Sequence, residues 1–375
     1  LKKSNKPGQE HARMDGMDGM DDLAQRLQRP SCITDVPGIA AGHAQMAGRA
    51  TGCTVVLAAG HAHAAPGGQG AIAAVDVRGA APGTRETDLL APGNLVEKVH
   101  AIALCGGSAF GLDAASGVVR WLEEQGQGLD TGVCRVPIVP AAVLFDLLIG
   151  DARIRPDAGC GHAACVAAQA QASARTPLAQ GNVGAGSGAI VGKMFGLERA
   201  MRGGIGSASV RVGGVTVGAL IACNAVGDVR HPERGAILAG ARSAPGSLQP
   251  CDAQRALLAG QAPLPALAGS NTTIGVIATD APLTRPQALR LAGQGHDGLA
   301  RCITPVHTQS DGDTLFMLST GLASSSPGTM VLGAMVAEAV ALATLRAVLH
   351  AQDYADAQLC IPAVAAAQRH ALLGE

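Results

Sequence analysis

A chain of 375 residues that contains four phenylalanines, one tyrosine and one tryptophan has almost no bulky side chains with which to fill an interior, yet 47% of it is hydrophobic. Its core must be built from Ala, Val, Leu and Ile, and space must be closed by bringing backbones near one another, which 51 glycines permit. Length alone allows one large core or two to three smaller ones. The same scarcity of aromatics excludes base-stacking platforms, and a formal net charge of -1 leaves no basic excess for a phosphate backbone. Nucleic acid is not an expected partner.

Ten cysteines are scattered from Cys32 to Cys360 with no CxxC pair, which reads as buried thiols of a reducing compartment and points to the cytoplasm. The apolar stretch around Met330 to Leu349 is interrupted by Glu338 and Arg346, so a core helix is predicted there and no membrane span. Residues 1–30 are polar, carry mixed charge and lack the apolar run of a secretory signal. A disordered extension over 1–30 and a single catalytic domain over 31–375 are predicted.

From Ser31 onward, ITDVPGIAAGHAQ, TGCTVVLAAG and AIAAVDVRGAAPGT read as strands punctuated by Pro and Gly. Leu112, Ala115, Val118, Val119 and Leu122 fall at helical spacing after the Gly-rich GGSAFG, and an Ala-rich helix is predicted near Gly161 to Ala174. ASVRVGGVTVGALIACNAVGD reads as two strands about the Gly213–Gly214 turn. Pro232 to Ala268 looks like loop. NTTIGVIATD follows as a strand with Ile274 and Val276 on one face and Ile277 on the other; a helix from about Pro286 to Ala300, the strand LFMLST and a long helix after Thr329 complete the chain. Helices and strands interleave without a βαβ rhythm, the pattern of an α+β fold.

The chemistry sits where loop meets strand. QAPLPALAG places Pro263 and Pro265 just ahead of Gly269–Ser270, in a segment that tolerates a break. A serine hydroxyl needs a base, and an N-terminal serine carries one, because its α-amine titrates at about 7.7 to 8.0. Scission between Gly269 and Ser270 would create that group. The same hydroxyl can make the cut by attacking the Gly269 carbonyl, moving the acyl group from nitrogen to oxygen and leaving an ester for water, and Gly269 has no Cβ to resist the geometry. In isolation Gly-Ser-Asn before a strand is an ordinary turn.

The surrounding motifs are ITDVPGI, TGCTVV, VDVRGAAPGTRETDLL, GGSAFGLDAA, VPIVPAAVLFDL, GNVGAGSGA, GSNTTIGVIATD and HTQSDGDTLF. With them, from Ser31 to about His350, the chain resembles the DmpA-type family of self-processing L-aminopeptidase/D-esterases and β-aminopeptidases, which includes the nylon-oligomer hydrolases. The resemblance implies an N-terminal-nucleophile-like α+β fold, a four-layer αββα sandwich, cut into an α chain ending at Gly269 and a β chain starting at Ser270. The two chains would stay associated within a homotetramer. The implied activity is release of N-terminal residues from short peptides, amides or esters through a Ser270 acyl-enzyme, with no cofactor and no metal.

Residue by residue, the resemblance places Asn224 beside the nucleophile, where its amide could stabilise an oxyanion. It gives Lys193 the task of stabilising negative charge or lowering the amine pKa of Ser270. Asp311 and Asp313 would hold the Ser270 ammonium and steer its proton. Gly107, Ser108 and Phe145 are assigned to substrate binding, and Phe145 stands where some relatives have a tyrosine, so no phenolic hydroxyl assists there. Without the family these residues would read as a turn-capping Asn, a solvated Lys and a DGD turn.

Two other activities share the resemblance. Lys193, Asp311 and Asp313 match the branch that endo-hydrolyses 6-aminohexanoate oligomers, which opens its β chain at a Thr, so a cut before Thr272 would point that way. Ornithine acetyltransferases also cut themselves, but transfer acetyl groups to an amine acceptor. A non-enzymatic module of this composition would instead remain one intact chain. GAGSGA at 184–189 fits a dinucleotide fingerprint only loosely and misses a phosphate loop, since position 187 is Ser and Lys193 precedes Met194. His61 with His63, and Cys160 with His162 and Cys165, lack the second pair a structural zinc site requires.

Overall fold

The computed structural model describes residues 22–58, 70–264, 271–357 and 359–374; Gly269 and Ser270, like His61 and His63, lie outside the described residues. Strand Thr272–Thr279 is buried at every position, as a central strand must be. It pairs antiparallel with Val215–Asn224 and parallel with Thr314–Ser319. The six-stranded sheet around it runs Gly204–Val212, Val215–Asn224, Thr272–Thr279, Thr314–Ser319, Ala71–Val77, Lys98–Val99. Gly213 and Gly214, with φ of 56° and 84°, form the two-residue hairpin turn in the left-handed region that such turns demand.

A five-stranded sheet, in the order Ala40–Gln45, Gly52–Leu57, Ala101–Cys105, Ala141–Val143, Thr84–Arg85, faces the first. Ile274 and Val276 pack with Val56, Ile102 and Leu104 between the sheets. On the opposite face Ile277 meets Leu291, Leu299, Val336 and Val340 from helices Arg285–Cys302 and Thr329–Leu349. Helices Ala114–Glu124 and Ala158–Ala174 cover the far side of the five-stranded sheet through Val118, Leu122, Ala164 and Ala168. The layers are therefore helix, sheet, sheet, helix, the αββα sandwich. Small residues close it: a Cβ on Gly117 would lie 1.7 Å from the Ala158 carbonyl, and one on Gly161 1.9 Å from that of Ala114, so the outer helices touch backbone to backbone.

The predicted disorder over 1–30 is corrected at 22–28, which form helix Asp22–Gln28, while 1–21 lie outside the described residues. Leu23 and Leu27, one turn apart, bury themselves in the core beside helix Thr329–Leu349. The charges that interrupt that long helix hold the short one: Glu338 pairs with Arg26, and Arg346 donates to the carbonyls of Leu27 and Arg29 at 2.8 and 2.6 Å. Helix Thr329–Leu349 is long and apolar enough to cross a membrane, but 78% of its most apolar window is buried inside the protein. The segment read as loop from Pro232 contains strand Ile237–Ala239 and helix Ala253–Leu258, anchored by the Asp228 carboxylate on the amides of Ala241 and Ala253, both at 2.8 Å.

Candidate active site

Strand Val215–Asn224 ends where strand Thr272–Thr279 begins, and Asn224 and Thr272 are register partners. One residue earlier, Asn271 bridges to Asp311, and its carbonyl accepts the Gly312 amide at 2.9 Å. The acidic turn 311–313 is thereby laid against the head of the central strand. Arg78 and Ala81 fix its other edge, their amides donating to the carbonyls of Asp313 and Asp311 at 2.9 Å each.

Both carboxylates are buried and held from outside the turn. Asp313 accepts the Thr273 amide on Oδ1 at 2.6 Å, and on Oδ2 the His307 ring at 2.7 Å and the His307 amide at 3.2 Å. Asp311 Oδ2 accepts the amide and the hydroxyl of Thr308, each at 2.7 Å. Burial pushes Asp311 up to about 6, helped by the charge of Asp313 and opposed by the Thr308 hydrogen bonds and Lys193.

Lys193 Nζ donates to the Asn224 carbonyl at 2.9 Å. Loss of water around its ammonium brings it down to about 7, against the pull of Asp311, Cys223, Asp146 and Asp313. The Asn224 amide is itself braced: Oδ1 accepts the Ile190 amide at 3.0 Å and Nδ2 donates to the Phe145 carbonyl at 3.1 Å. Nδ2 has a second hydrogen with which it can meet a developing oxyanion. The hydroxyl of buried Thr272 donates to the carbonyl of Asn271, against the bond that joins the two residues.

Phe145 thus enters the site through its backbone carbonyl. Gly107 and Ser108 are consecutive left-handed residues, φ 83° and 54°, a conformation unusual for serine. The turn is pinned by the Gly107 amide to Asp146 Oδ1 at 2.9 Å and the Ser108 amide to the Leu144 carbonyl at 2.9 Å. Asp146 is ion-paired with Arg49 at 2.7 Å, both side chains fully buried.

Of the residues singled out from sequence, Asn224, Lys193, Asp311 and Asp313 converge on Asn271–Thr272, with Phe145 tied to them by Asn224. Gly107 and Ser108 join through Asp146, next to Phe145 in the chain. Sequence reasoning did not single out Asp146, His307, Thr308 or Thr273. Each lies inside a quoted motif, and the one available signal was a carboxylate in the apolar run VLFDL and a histidine heading HTQSDGDTLF. Cys160 and Cys165 face the core, whereas His162 turns to Glu124 at 3.0 Å. Among the described residues, no three His, Cys, Asp or Glu side chains are grouped to hold a metal ion.

Two solved structures share this architecture. A Burkholderia sp. β-aminopeptidase superposes with a TM-score of 0.64 at 24% identity, covering 92% of this chain and 94% of that one. The L-aminopeptidase D-Ala-esterase/amidase of Ochrobactrum anthropi, a variant of the Ntn hydrolase fold, gives 0.64 at 20% identity, covering 92% of this chain and 93% of that one. The fold and site thus define the class, an Ntn-hydrolase fold of α+β type. Within that class the chain belongs to Peptidase family S58, whose model matches residues 31–367. It is 46% identical over 354 residues to an uncharacterized aminopeptidase of Mycobacterium tuberculosis (strain ATCC 25618 / H37Rv), covering 86% of this chain and 95% of the relative. It is 33% identical over 288 residues to a 6-aminohexanoate-oligomer endohydrolase of Kocuria sp. (strain KY2), covering 76% and 74%.

Proposed function

We propose that this chain cuts itself at the head of its central strand and then works as an aminopeptidase, releasing N-terminal residues from short peptides, amides or esters through an acyl-enzyme on the freed hydroxyl residue. The observation that carries the reading is the convergence of Asn224, Asp311 and Asp313 on Asn271 to Thr273, at the head of the central strand. The sequence pattern alone puts the nucleophile at Ser270 and the cut at Gly269–Ser270. Among the described residues the side chains of the site address Asn271 to Thr273, which supports placing the nucleophile at Thr272 and the scissile bond at Asn271–Thr272.

In that scheme Thr272 Oγ1 bonds to the Asn271 carbonyl carbon, the C–N bond breaks, and the hydroxyl proton ends on the new amine. Water then hydrolyses the ester, releasing the Asn271 carboxylate. In turnover the Thr272 amine takes the hydroxyl proton as the hydroxyl attacks substrate, and passes it to the leaving amine. Asn224 stabilises the oxyanion, while Lys193, Asp311 and Asp313 set the charge around the amine. Association of the two fragments and their assembly into a homotetramer belong to the same proposal.

A second reading, endo-hydrolysis of 6-aminohexanoate oligomers, is favoured by Thr272 together with Lys193, Asp311 and Asp313. Comparing turnover of L-alanine p-nitroanilide, a β-dipeptide and a linear 6-aminohexanoate oligomer separates the two. The mechanism is tested by denatured intact mass of wild type, Ser270→Ala and Thr272→Ala, with N-terminal sequencing of the small fragment. A fragment beginning at Thr272 and an uncut Thr272→Ala are expected. A fragment beginning at Ser270 returns the serine to the role, and a single full-length mass in active protein sinks self-processing.

A further inference from the structure

The two residues that hold the acidic pair are adjacent in the chain, and one of them is strained. His307 has φ 56°, a left-handed backbone uncommon for any residue with a side chain and retained only where the surroundings enforce it. Its Nδ1 lies 2.7 Å from Asp313 Oδ2, and because an ionised carboxylate only accepts, Nδ1 carries the proton. Nε2 is buried and without a hydrogen-bond partner.

Behind it stands His296, from helix Arg285–Cys302, edge-on with ring centroids 4.7 Å apart. His296 Nε2 donates to the Asp76 carbonyl at 3.0 Å, which leaves its Nδ1 equally bare. Burial, with His307 adding, takes His296 down to about 4, so this second ring stays neutral and serves as a wall. The remaining charged or titratable groups that bear on this cluster are Asp76 and Arg78 from the edge of strand Ala71–Val77, Asp311, Lys193 and the Cys223 thiol. Neither histidine has a place in the scheme above.

We infer that His307 is a positioning residue: through Nδ1–H it holds the Asp313 carboxylate beside the Thr273 amide, while its neighbour Thr308 holds Asp311. One turn of loop thereby fixes the two carboxylates at different places, Asp313 against the Thr273 amide and Asp311 beside Asn271, where together they set the charge around the amine. The inference rests on the reading that the acidic pair serves the nucleophile of strand Thr272–Thr279.

The test compares His307→Leu with His307→Asn, whose amide N–H replaces Nδ1–H and whose residue type tolerates a left-handed φ. For turnover of L-alanine p-nitroanilide, His307→Leu should lose kcat by about tenfold or more with KM little changed and the acidic limb of the pH profile displaced, and His307→Asn should recover both. Wild-type kcat and limb in His307→Leu, or an Asn variant no better than the Leu variant, would overturn the inference. Histidine ¹⁵N spectra of Thr272→Ala need no turnover: an Nδ1-protonated His307 that changes in the added Asp313→Asn background is expected, and an Nε2-protonated ring overturns it. Failure of the functional reading shows separately, as turnover by Thr272→Ala.

Discussion

Asn224 closes one strand directly opposite Thr272, which opens the next. The amide that would receive the oxyanion and the hydroxyl that would attack are thus fixed by a backbone ladder rather than by loops. Asn224→Ala should cost about 1 to 3 kcal/mol by orphaning the Ile190 amide and the Phe145 carbonyl. It should also lower kcat by roughly 10² to 10³. Asn224→Asp keeps the acceptor for Ile190, so its urea midpoint should lie nearer wild type while turnover stays low; a fully active Asp variant would remove Asn224 from the mechanism.

Lys193 makes the site pay in stability. Its folded value, about 7, lies below the ordinary 10.5, so between those values the unfolded chain binds more protons and stability rises with pH. Asp311 runs the other way: raised from 3.8 to about 6, it favours the folded state at low pH, an advantage lost as pH climbs through that window. Lys193→Met should therefore be inactive yet more urea-resistant than wild type at pH 6, on the order of 2 kcal/mol, with the gap closing towards pH 10. A gap that widens with pH would contradict a desolvated ammonium.

Thr308 donates twice to Asp311. Thr308→Val removes the hydroxyl but keeps the amide, and loss of a donor to the charged form must raise the Asp311 value further. The acidic limb of kcat should move to higher pH by up to about one unit, measured from stopped assays across the range. A limb that moves downward would exclude Asp311 as the group that titrates.

Gly161→Ala places a methyl 1.9 Å from the Ala114 carbonyl, in the contact between the outer helices. Those helices must separate, at a cost of about 1 to 3 kcal/mol or more by thermal unfolding. Asn224 and Thr272, the amide and hydroxyl of the proposed mechanism, lie on the other sheet, so kcat of the folded fraction should hold. Wild-type stability would mean the helices are not in close contact.

Much of this was legible in the chain. The period-two alternation of NTTIGVIATD put Ile274 and Val276 on one face and Ile277 on the other, and they face different layers. The helical spacing of Leu23 and Leu27 was present too, but four acidic residues and two glycines just before it, DGMDGMDD, masked a seven-residue helix that tertiary contacts stabilise. Asn224, Lys193, Asp311 and Asp313 were reached through family motifs. His307 and Thr308 were not: Thr308 stands three residues before Asp311, a local turn spacing that was open to reading, whereas the hold of His307 on Asp313 depends on how the loop folds back. Ser270 was reached through the family motifs around Gly269–Ser270, which lie outside the described residues, whereas the gathering of Asn224, Asp311 and Asp313 about Asn271 to Thr273 exists only in three dimensions.

The strand order of the six-stranded sheet gives scission a consequence of its own. A cut ahead of Thr272–Thr279 deals the strands out as two from the long piece, two from the short piece, then two from the long piece again. The short piece is clasped along both edges, by eight register pairs to Val215–Asn224 and six to Ala71–Val77. Neither piece can leave without unzipping a ladder, so the break changes connectivity and leaves shape intact. What it removes is one link on the way back: the connection leading from Val215–Asn224 to Thr272–Thr279 is severed, so two pieces must find each other to rebuild the sheet. The mature protein would then keep an arrangement assembled by a precursor that no longer exists, and persist by slow unfolding rather than by ready refolding.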